Sequence, residues 1–297
     1  MATNTLLTVS AITREALRLL HEKLTFVRSI NRQYDDAFAQ NGAKIGDTLR
    51  IRMPSQYVVT DGATLTKQDS VQESVSLQVS TRKHVGMEFS SQELTMSMDK
   101  LTELHLEPAM AVLASAIEAD CISKATLATA NQVGVWGTPP ANLAHFLTAR
   151  ARLNQYLAPK DRNRNALMSS EMSVNLVEGL KALNQDETEV ARQYREGYIT
   201  RAAGLDWAES ESMKGIANGS ATEVGTVDTT VATSGSTTII LTGLGNAQTV
   251  VAGSVFTVAG VYAVHPETKV ARSHLQQFVI VTGGTSSAGG VLSVTVD

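Results

Sequence analysis

The segment from Val71 to Phe89 constrains the fold more than any other, because its side chains alternate between apolar and polar almost without a break. Alternation with a period of two predicts a half-buried β-strand. A strand of this length would span about 60 Å at about 3.3 Å per residue, whereas an ordinary strand has about 5 or 6 residues. Part of it should therefore project from its domain, and we expect its apolar face to lie on another copy of the chain.

Composition narrows the class of protein. With 297 residues, the chain suggests two domains or one domain with a large insertion. A net charge of −4 and an aromatic content of 5% argue against a nucleic-acid reader. Cys121 is the single cysteine, so no disulfide framework or thiolate metal site is expected, which fits a reducing cytoplasm. Neither a signal peptide nor a membrane-spanning segment is evident.

The first part of the chain predicts a helix, a hairpin and a second helix. Residues Thr8–Ala39 carry an apolar stripe at helical spacing. A strand at Thr48–Met53 and the return strand at Val71–Phe89 predict a long β-hairpin with a polar tip, in which Thr60–Gly62 is a turn.

The long central helix is predicted to follow the hairpin. Ser90 with Glu93 three residues later is a capping-box pattern at a helix start. A second helix should begin near Pro108, a residue suited to the first turn, and run to about Ala130 with an extended apolar face.

The remainder predicts a mixed α/β section followed by a β-rich section. Helices are expected at Asn142–Leu157 and from Ser169 through Leu183, with strands at Arg164–Met168 and Tyr198–Ser210. From Gly215 onward the chain is rich in Thr, Ser, Gly and Val, which favours a small β-barrel or sandwich. Its predicted strands are Thr237–Leu241, Ser254–Val258, Gln276–Val281 and Val291–Val296.

No residue pattern indicates catalysis, a cofactor or a metal. The histidines show no metal-ligand spacing and are expected to be isolated on the surface or satisfied by local contacts; they are His21, His84, His105, His145, His265 and His274. Cys121 lies among Ala and Ile on the long helix, where a small buried hydrophobe is favoured over a nucleophile. Gly243–Ala247 begins like a dinucleotide fingerprint, but no helix is predicted after it.

One local basic cluster has two interpretations. It comprises Arg150, Arg152, Lys160, Arg162 and Arg164. A weak phosphate contact is conceivable, but sparse aromatic residues favour a solvated helix face and loop.

Three segments resemble one protein family. Lys44–Pro54 resembles the start of the extended loop, and Gly197–Ser210 the strand leaving the axial domain, of tailed-bacteriophage major capsid proteins with the Hong Kong 97-type fold. Phe256–Lys269 with Leu275–Val279 is similar to the inserted β-barrel of podovirus-type coat proteins.

The resemblance implies an α+β architecture in five parts. These are an N-terminal arm (1–45), an extended loop (46–90), a peripheral domain with a spine helix (91–135), an axial α/β domain (136–214) and an inserted all-β barrel domain (215–297). In relatives the chain then returns to the axial and peripheral domains. Here Val291–Asp297 lies within the insert, so we expect an incomplete or truncated chain.

The resemblance also implies a structural function. Copies would form hexamers and pentamers of an icosahedral procapsid in the host cytoplasm, guided by a scaffolding protein. Through a portal, the shell would take up double-stranded DNA, contacted weakly, and mature into the virion, with a decoration protein as a further partner. No enzyme activity, cofactor or membrane association is implied.

Charged residues of the extended loop are candidate intersubunit contacts. They are Arg50, Arg52, Asp61, Lys67, Glu73, Arg82 and Lys83. For Glu73, Arg82 and Lys83, the alternative of solvated edge charges that deter mispairing stays open.

Two other function classes remain as alternatives. A hydrolase-like enzyme could use the α/β section, but no nucleophile–base constellation supports it. A carbohydrate-binding or adhesin module could use the Thr- and Gly-rich end, against which the helical first half weighs.

Overall fold

The computed structural model describes most of the chain, namely residues 9–31, 46–55, 57–65, 67–88, 98–135, 137–140, 142–160, 163–180, 201–213, 215–217, 219–221, 224–228 and 235–296. The chain divides into two compact units, residues 1–121 and 122–297.

The first unit begins with two helices, α1 (Val9–Lys23) and α2 (Phe26–Ser29). Three members of the predicted stripe lie on the packed face of α1, since Ile12, Ala16 and Leu20 pack against a buried cluster. This cluster consists of Leu19, Leu106 and Met110. The prediction of one continuous helix was wrong at Leu24–Thr25, and residues 32–39 of it lie outside the described residues.

A buried carboxylate explains this break. Glu118 is buried on the long helix and accepts hydrogen bonds from the backbone N–H groups of Thr25 and Phe26, the latter at 2.6 Å. These two amides are therefore committed to Glu118 rather than to the last turn of α1. A carboxylate beside the first amides of a helix also satisfies donors that have no partner within the helix.

The long helix starts earlier than predicted. It consists of α3 (Met98–Leu101), a π-helical turn (Thr102–Leu106) and α4 (Glu107–Leu127). Pro108 lies inside this run, so the prediction that the helix begins there was wrong. Proline lacks an N–H and clashes with the carbonyl four residues earlier in a regular helix. The widened turn, in which the Glu107 N–H bonds to the Thr102 carbonyl, precedes the proline directly. The predicted capping box at Ser90 and Glu93 lies outside the described residues.

The hairpin is present, but its return strand is short. Strand β1 (Thr48–Arg52) pairs antiparallel with β2 (Ser74–Gln78), in a register from Thr48↔Gln78 to Arg52↔Ser74. The prediction of one strand over Val71–Phe89 was therefore wrong in extent. A ladder can be no longer than its shorter strand, and β1 ends just before Pro54, which has no N–H to donate. Residues 79–88 continue past the start of β1, and Phe89 lies outside the described residues.

The second unit opens with a small α/β section. Helix α5 (Leu143–Gln155) precedes strand β3 (Asn165–Met168) and helix α6 (Ser170–Leu180). Strand β5 (Leu205–Glu209) pairs in parallel with β3 and antiparallel with β4 (Arg201–Ala202).

An aromatic pair lies in the core of this section. Phe146 and Trp207 meet edge to face with ring centroids 4.9 Å apart, and Met168 and Leu205 are buried with them. Edge-to-face contact suits the positive edge and negative face of aromatic rings. The helix at Asn142–Leu157 and the strand at Arg164–Met168 were predicted to within two residues at each end.

The predicted single strand at Tyr198–Ser210 is a hairpin in its described part. Ala203 and Gly204 both have positive φ, 55° and 76°. Two consecutive positive φ values characterise the two-residue turn whose twist matches that of paired antiparallel strands. The turn reverses the chain between Ala202 and Leu205, which pair with each other.

The β-rich section forms a five-stranded antiparallel sheet and a two-stranded ribbon. The sheet order is β6 (Thr226–Val227), β7 (Thr238–Thr242), β12 (Leu292–Val296), β10 (Ala271–Thr282) and β9 (Val255–Val264). The ribbon pairs β8 (Thr249–Val250) with β11 (Gly284–Thr285). A shared core contains Leu244, Ile280, Leu292, Val294 and Val296.

The strands predicted at Ser254–Val258 and Gln276–Val281 are longer than expected. They form β9 and β10, which have 10 and 12 residues and are joined by a tight turn at His265–Lys269. Interruptions of the alternation coincide with register shifts between these strands, as at a β-bulge, so the sequence pattern ended before the strands did.

Two glycines permit the backbone to approach β8. A Cβ added at Gly219 would lie 1.9 Å from the Thr249 carbonyl oxygen, and one at Gly283 would lie 2.0 Å from that of Val250. No side chain fits at such distances, so both positions require glycine because of the close approach of the backbone.

We predict that Gly283→Ala destabilises the second unit by about 2 kcal/mol, since the added methyl must displace backbone atoms. The matched control is Gly289→Ala, where the nearest atom to the added Cβ lies 3.9 Å away. Urea denaturation should show a lower midpoint for Gly283→Ala alone. Equal midpoints for the two variants would contradict the close approach.

Candidate assembly surface

The β1–β2 ribbon has one apolar face. Its cross-strand pairs place Leu49 opposite Leu77 and Ile51 opposite Val75, whereas Arg50 faces Ser76. Val75 and Leu77 are 55% and 54% exposed in the isolated chain. An isolated two-stranded hairpin is marginally stable in water. This face therefore gains stability from any surface that covers it.

Polar contacts extend the arm beyond its strands. The Met53 N–H donates to the Glu73 carbonyl at 2.8 Å, and the Ser55 and Ser70 hydroxyls lie 3.1 Å apart. Further out, the Gln68 side chain accepts from the Val58 N–H at 2.9 Å and donates to the Val58 carbonyl. The two branches of the hairpin thus remain side by side almost to the tip.

The tip carries the most exposed apolar side chains of the arm. Val59 is 91% exposed and Leu65 is 83% exposed, with Tyr57 and Val58 also exposed. The prediction of a polar tip was therefore wrong for these side chains, and sequence reasoning did not select them as contacts. The signal available was the short apolar run Tyr57–Val59, directly before the predicted turn at Thr60–Gly62.

The base of the arm is held by the long helix. The Thr81 hydroxyl donates to the Asp120 carboxylate at 3.3 Å, and the Val79 N–H donates to the Asp47 carbonyl at 3.0 Å. These contacts fix the point at which the arm leaves its unit.

The seven predicted charged contacts all lie exposed on this arm: Arg50, Arg52, Asp61, Lys67, Glu73, Arg82 and Lys83. Arg50 and Arg52 share the polar face of β1, and the Arg50 Nε donates to the Ser74 hydroxyl at 3.0 Å. The others are spread along the arm, with Asp61 at the tip and Arg82 and Lys83 near the base. Their contact with a neighbouring copy stays a prediction.

Part of the predicted basic cluster is structural. Arg164 is half-buried and donates to the Pro159 and Ala158 carbonyls at 2.8 and 2.7 Å, and to Asn154 Oδ1 at 2.8 Å. It therefore holds the chain that leaves the C-terminus of α5. The prediction of a solvated face was wrong for Arg164 and Arg152, which are half-buried, whereas Arg150 and Lys160 are exposed. Arg162 lies outside the described residues.

Two of the predicted isolated histidines make local contacts. His145 Nδ1 lies 2.8 Å from Asn142 Oδ1 at the start of α5. His265 Nδ1 accepts from the Glu267 and Thr268 N–H groups at 3.2 Å within the β9–β10 turn. Cys121 is half-buried, so the prediction of a buried side chain was correct only in part.

Within the described residues, no three His, Cys, Asp or Glu side chains are grouped so that they could hold a metal ion. The helices in the same part of the chain are too short or too polar to cross a membrane.

Comparison with known proteins yields matches among solved structures, nine chains in all. No family model and no curated protein matches the chain. A solved chain from Mycobacterium phage Che8 is similar over 91% of this chain and 90% of its own, with 15% sequence identity and a TM-score of 0.48.

We predict that Arg82→Gln changes the free energy of unfolding of the isolated chain by less than about 0.5 kcal/mol, as is usual for an exposed side chain. Chemical denaturation monitored by circular dichroism measures this. A larger loss would place Arg82 in a contact within its own chain and remove it from the candidate intersubunit contacts.

Proposed function

We propose that the chain is a structural subunit of an icosahedral bacteriophage capsid with the Hong Kong 97-type fold. The observation that carries the proposal is the exposed hairpin arm, in which Val75 and Leu77 of the β1–β2 face and the apolar tip residues lie in solvent. In the shell, this arm would lie across a neighbouring copy.

The energetics of the arm favour association. Complete burial of one exposed Val or Leu side chain at an interface stabilises the complex by about 1.5 to 3 kcal/mol. Covering Val59, Leu65, Val75 and Leu77 would thus contribute several kcal/mol, against which association costs must be set. In a closed shell, every copy would both give and receive such a contact.

The arm also presents a hazard that assembly would remove. Both edges of a two-stranded ribbon expose N–H and C=O groups, and such edges pair with other chains unless they are covered or charged. Charged residues at this ribbon would then serve two purposes, since they deter mispairing and allow ion pairs with the correct neighbour. They are Arg50 and Arg52 in β1 and Glu73 directly before β2.

The proposed partners follow from this role. They are other copies of the chain in hexamers and pentamers, a scaffolding protein, a portal and a decoration protein. Packaged double-stranded DNA would be contacted weakly, because the net charge of −4 gives little bulk attraction to phosphates. The proposed location is the host cytoplasm during assembly and the virion capsid afterwards.

We predict that deletion of residues 58–70 abolishes formation of rings or shells while leaving the helical circular-dichroism signal nearly intact. The described residues of this segment contain no helix, and their hydrogen bonds join them to one another or to adjacent residues of the arm. Negative-stain images and analytical ultracentrifugation measure assembly. Loss of the helical signal would instead make the hairpin part of the core, and assembly of the deleted chain would contradict the proposal.

A single substitution gives a sharper test at the tip. We expect Val59→Ser to lower the yield of assembled particles at least tenfold without changing the unfolding midpoint, since its side chain is exposed in the isolated chain. Val224→Ser is the matched control, because Val224 is 96% exposed and lies outside the arm. Equal particle yields for both variants would exclude the tip from the intersubunit contact.

A further inference from the structure

The side chains of Arg152, Arg272 and His274 lie close together where the C-terminus of α5 contacts β10. Arg152 lies in the last turn of α5. Arg272 and His274 are two residues apart on β10, so they lie on the same side of that strand. An Arg272 Nη2 donor binds the carbonyl of Gln155, the last residue of α5, and fixes this guanidinium at the helix end.

Each of the three side chains has a buried nitrogen without a partner. They are Arg152 Nη1, Arg272 Nε and His274 Nε2, none of which has a hydrogen-bond partner in the structure. A buried donor left unpaired costs about 1 to 3 kcal/mol, and more when it is charged. Two unpaired guanidinium donors beside a histidine nitrogen that can also donate indicate a missing acceptor, because native structures seldom leave buried polar groups unsatisfied.

The surroundings supply no described counter-ion. The ion pairs described in the structure involve neither Arg152 nor Arg272. One described pair of polar groups beside the site is neutral, since the Tyr156 hydroxyl donates to Gln276 Oε1 at 3.4 Å. Burial lowers the pKa of His274 most, and the nearby charges of Arg152 and Arg272 lower it further. The two arginines therefore make the described part of the site positive, and their charge disfavours protonation of the histidine.

We propose that Arg152, Arg272 and His274 form a binding site for one oxyanion, either a phosphate or a carboxylate. Guanidinium groups donate to both through paired N–H groups, and charge-assisted hydrogen bonds of this kind are the stronger ones. His274 Nε2 becomes a third donor when the ring is protonated. The bound oxyanion supplies the acceptors that the three nitrogens lack and offsets the charge of the two arginines.

Two sources could supply this oxyanion, and they give different concentration dependences. Free phosphate would bind the dilute chain and depend on phosphate concentration. A carboxylate of a second copy would bind in phosphate-free buffer and depend on the concentration of the chain itself.

The test is the pKa of His274 in the full chain, measured from the pH dependence of hydrogen–deuterium exchange at its imidazole C2 position by mass spectrometry. Inorganic phosphate is titrated against chloride at matched ionic strength, and the chain is then concentrated without phosphate. An oxyanion favours the imidazolium. We therefore expect one of the two series to raise the pKa of His274 to its ordinary value of about 6.5 or above.

Matched variants of helix α5 connect the response to the site. In the series that responds, Arg152→Gln should raise at least tenfold the concentration of phosphate or of chain at which half of the pKa change of His274 is reached. Arg150→Gln, with the same change of charge on an exposed neighbour in the same helix, should leave it unchanged. The proposal is overturned if neither series moves the His274 pKa in the unmodified chain, or if both variants behave alike. Because the phosphate series uses dilute chain, its outcome does not depend on shell formation.

Discussion

The constraint on which the first unit depends is that a two-stranded ribbon can pair its backbone but cannot bury its own face. Leu49, Ile51, Val75 and Leu77 line one side of β1–β2 because the register places apolar residues opposite one another. Within the described residues, the sheet has only these two strands, and no third strand extends it. The polar bonds along the arm and the contact of Thr81 with Asp120 hold the ribbon in place, and they leave the apolar face available to other molecules.

Much of the fold could be predicted where a local pattern corresponded to a local structure. The apolar stripe of α1, the start of β1 at Thr48 and the strand ending at Met168 all follow from periodicity within a few residues. Sequence periodicity did not predict the ends of an element where a group distant in sequence determined them. The helix break at Thr25 depends on Glu118, which lies 93 residues away. The extent of β2 beyond Gln78 depends on where β1 begins, because Gln78 pairs with Thr48, the first residue of β1. Alternation beyond Gln78 therefore did not produce a strand.

The candidate site was predictable in location but not in composition. Alternation and charge identified the arm, and the seven charged residues are indeed exposed on it. The apolar tip was missed because a single exposed valine such as Val59 has the same sequence signature as a buried one. The basic cluster shows the converse, since Arg150 and Arg164 look equivalent in sequence. Only the path of the chain after α5 turns Arg164 inward onto its carbonyls while Arg150 stays in solvent.

The bond between Glu118 and the start of α2 has a consequence for how the arm can change in length. This contact closes a loop that contains the entire hairpin, because the N–H donors lie before the arm and the carboxylate lies after it. Each doubling of a closed flexible loop costs only about 0.6 kcal/mol in chain entropy. Residues added at the tip would thus lengthen the reach of the arm with little penalty for the unit that anchors it. The reach of the arm and the stability of its anchor can therefore vary almost independently.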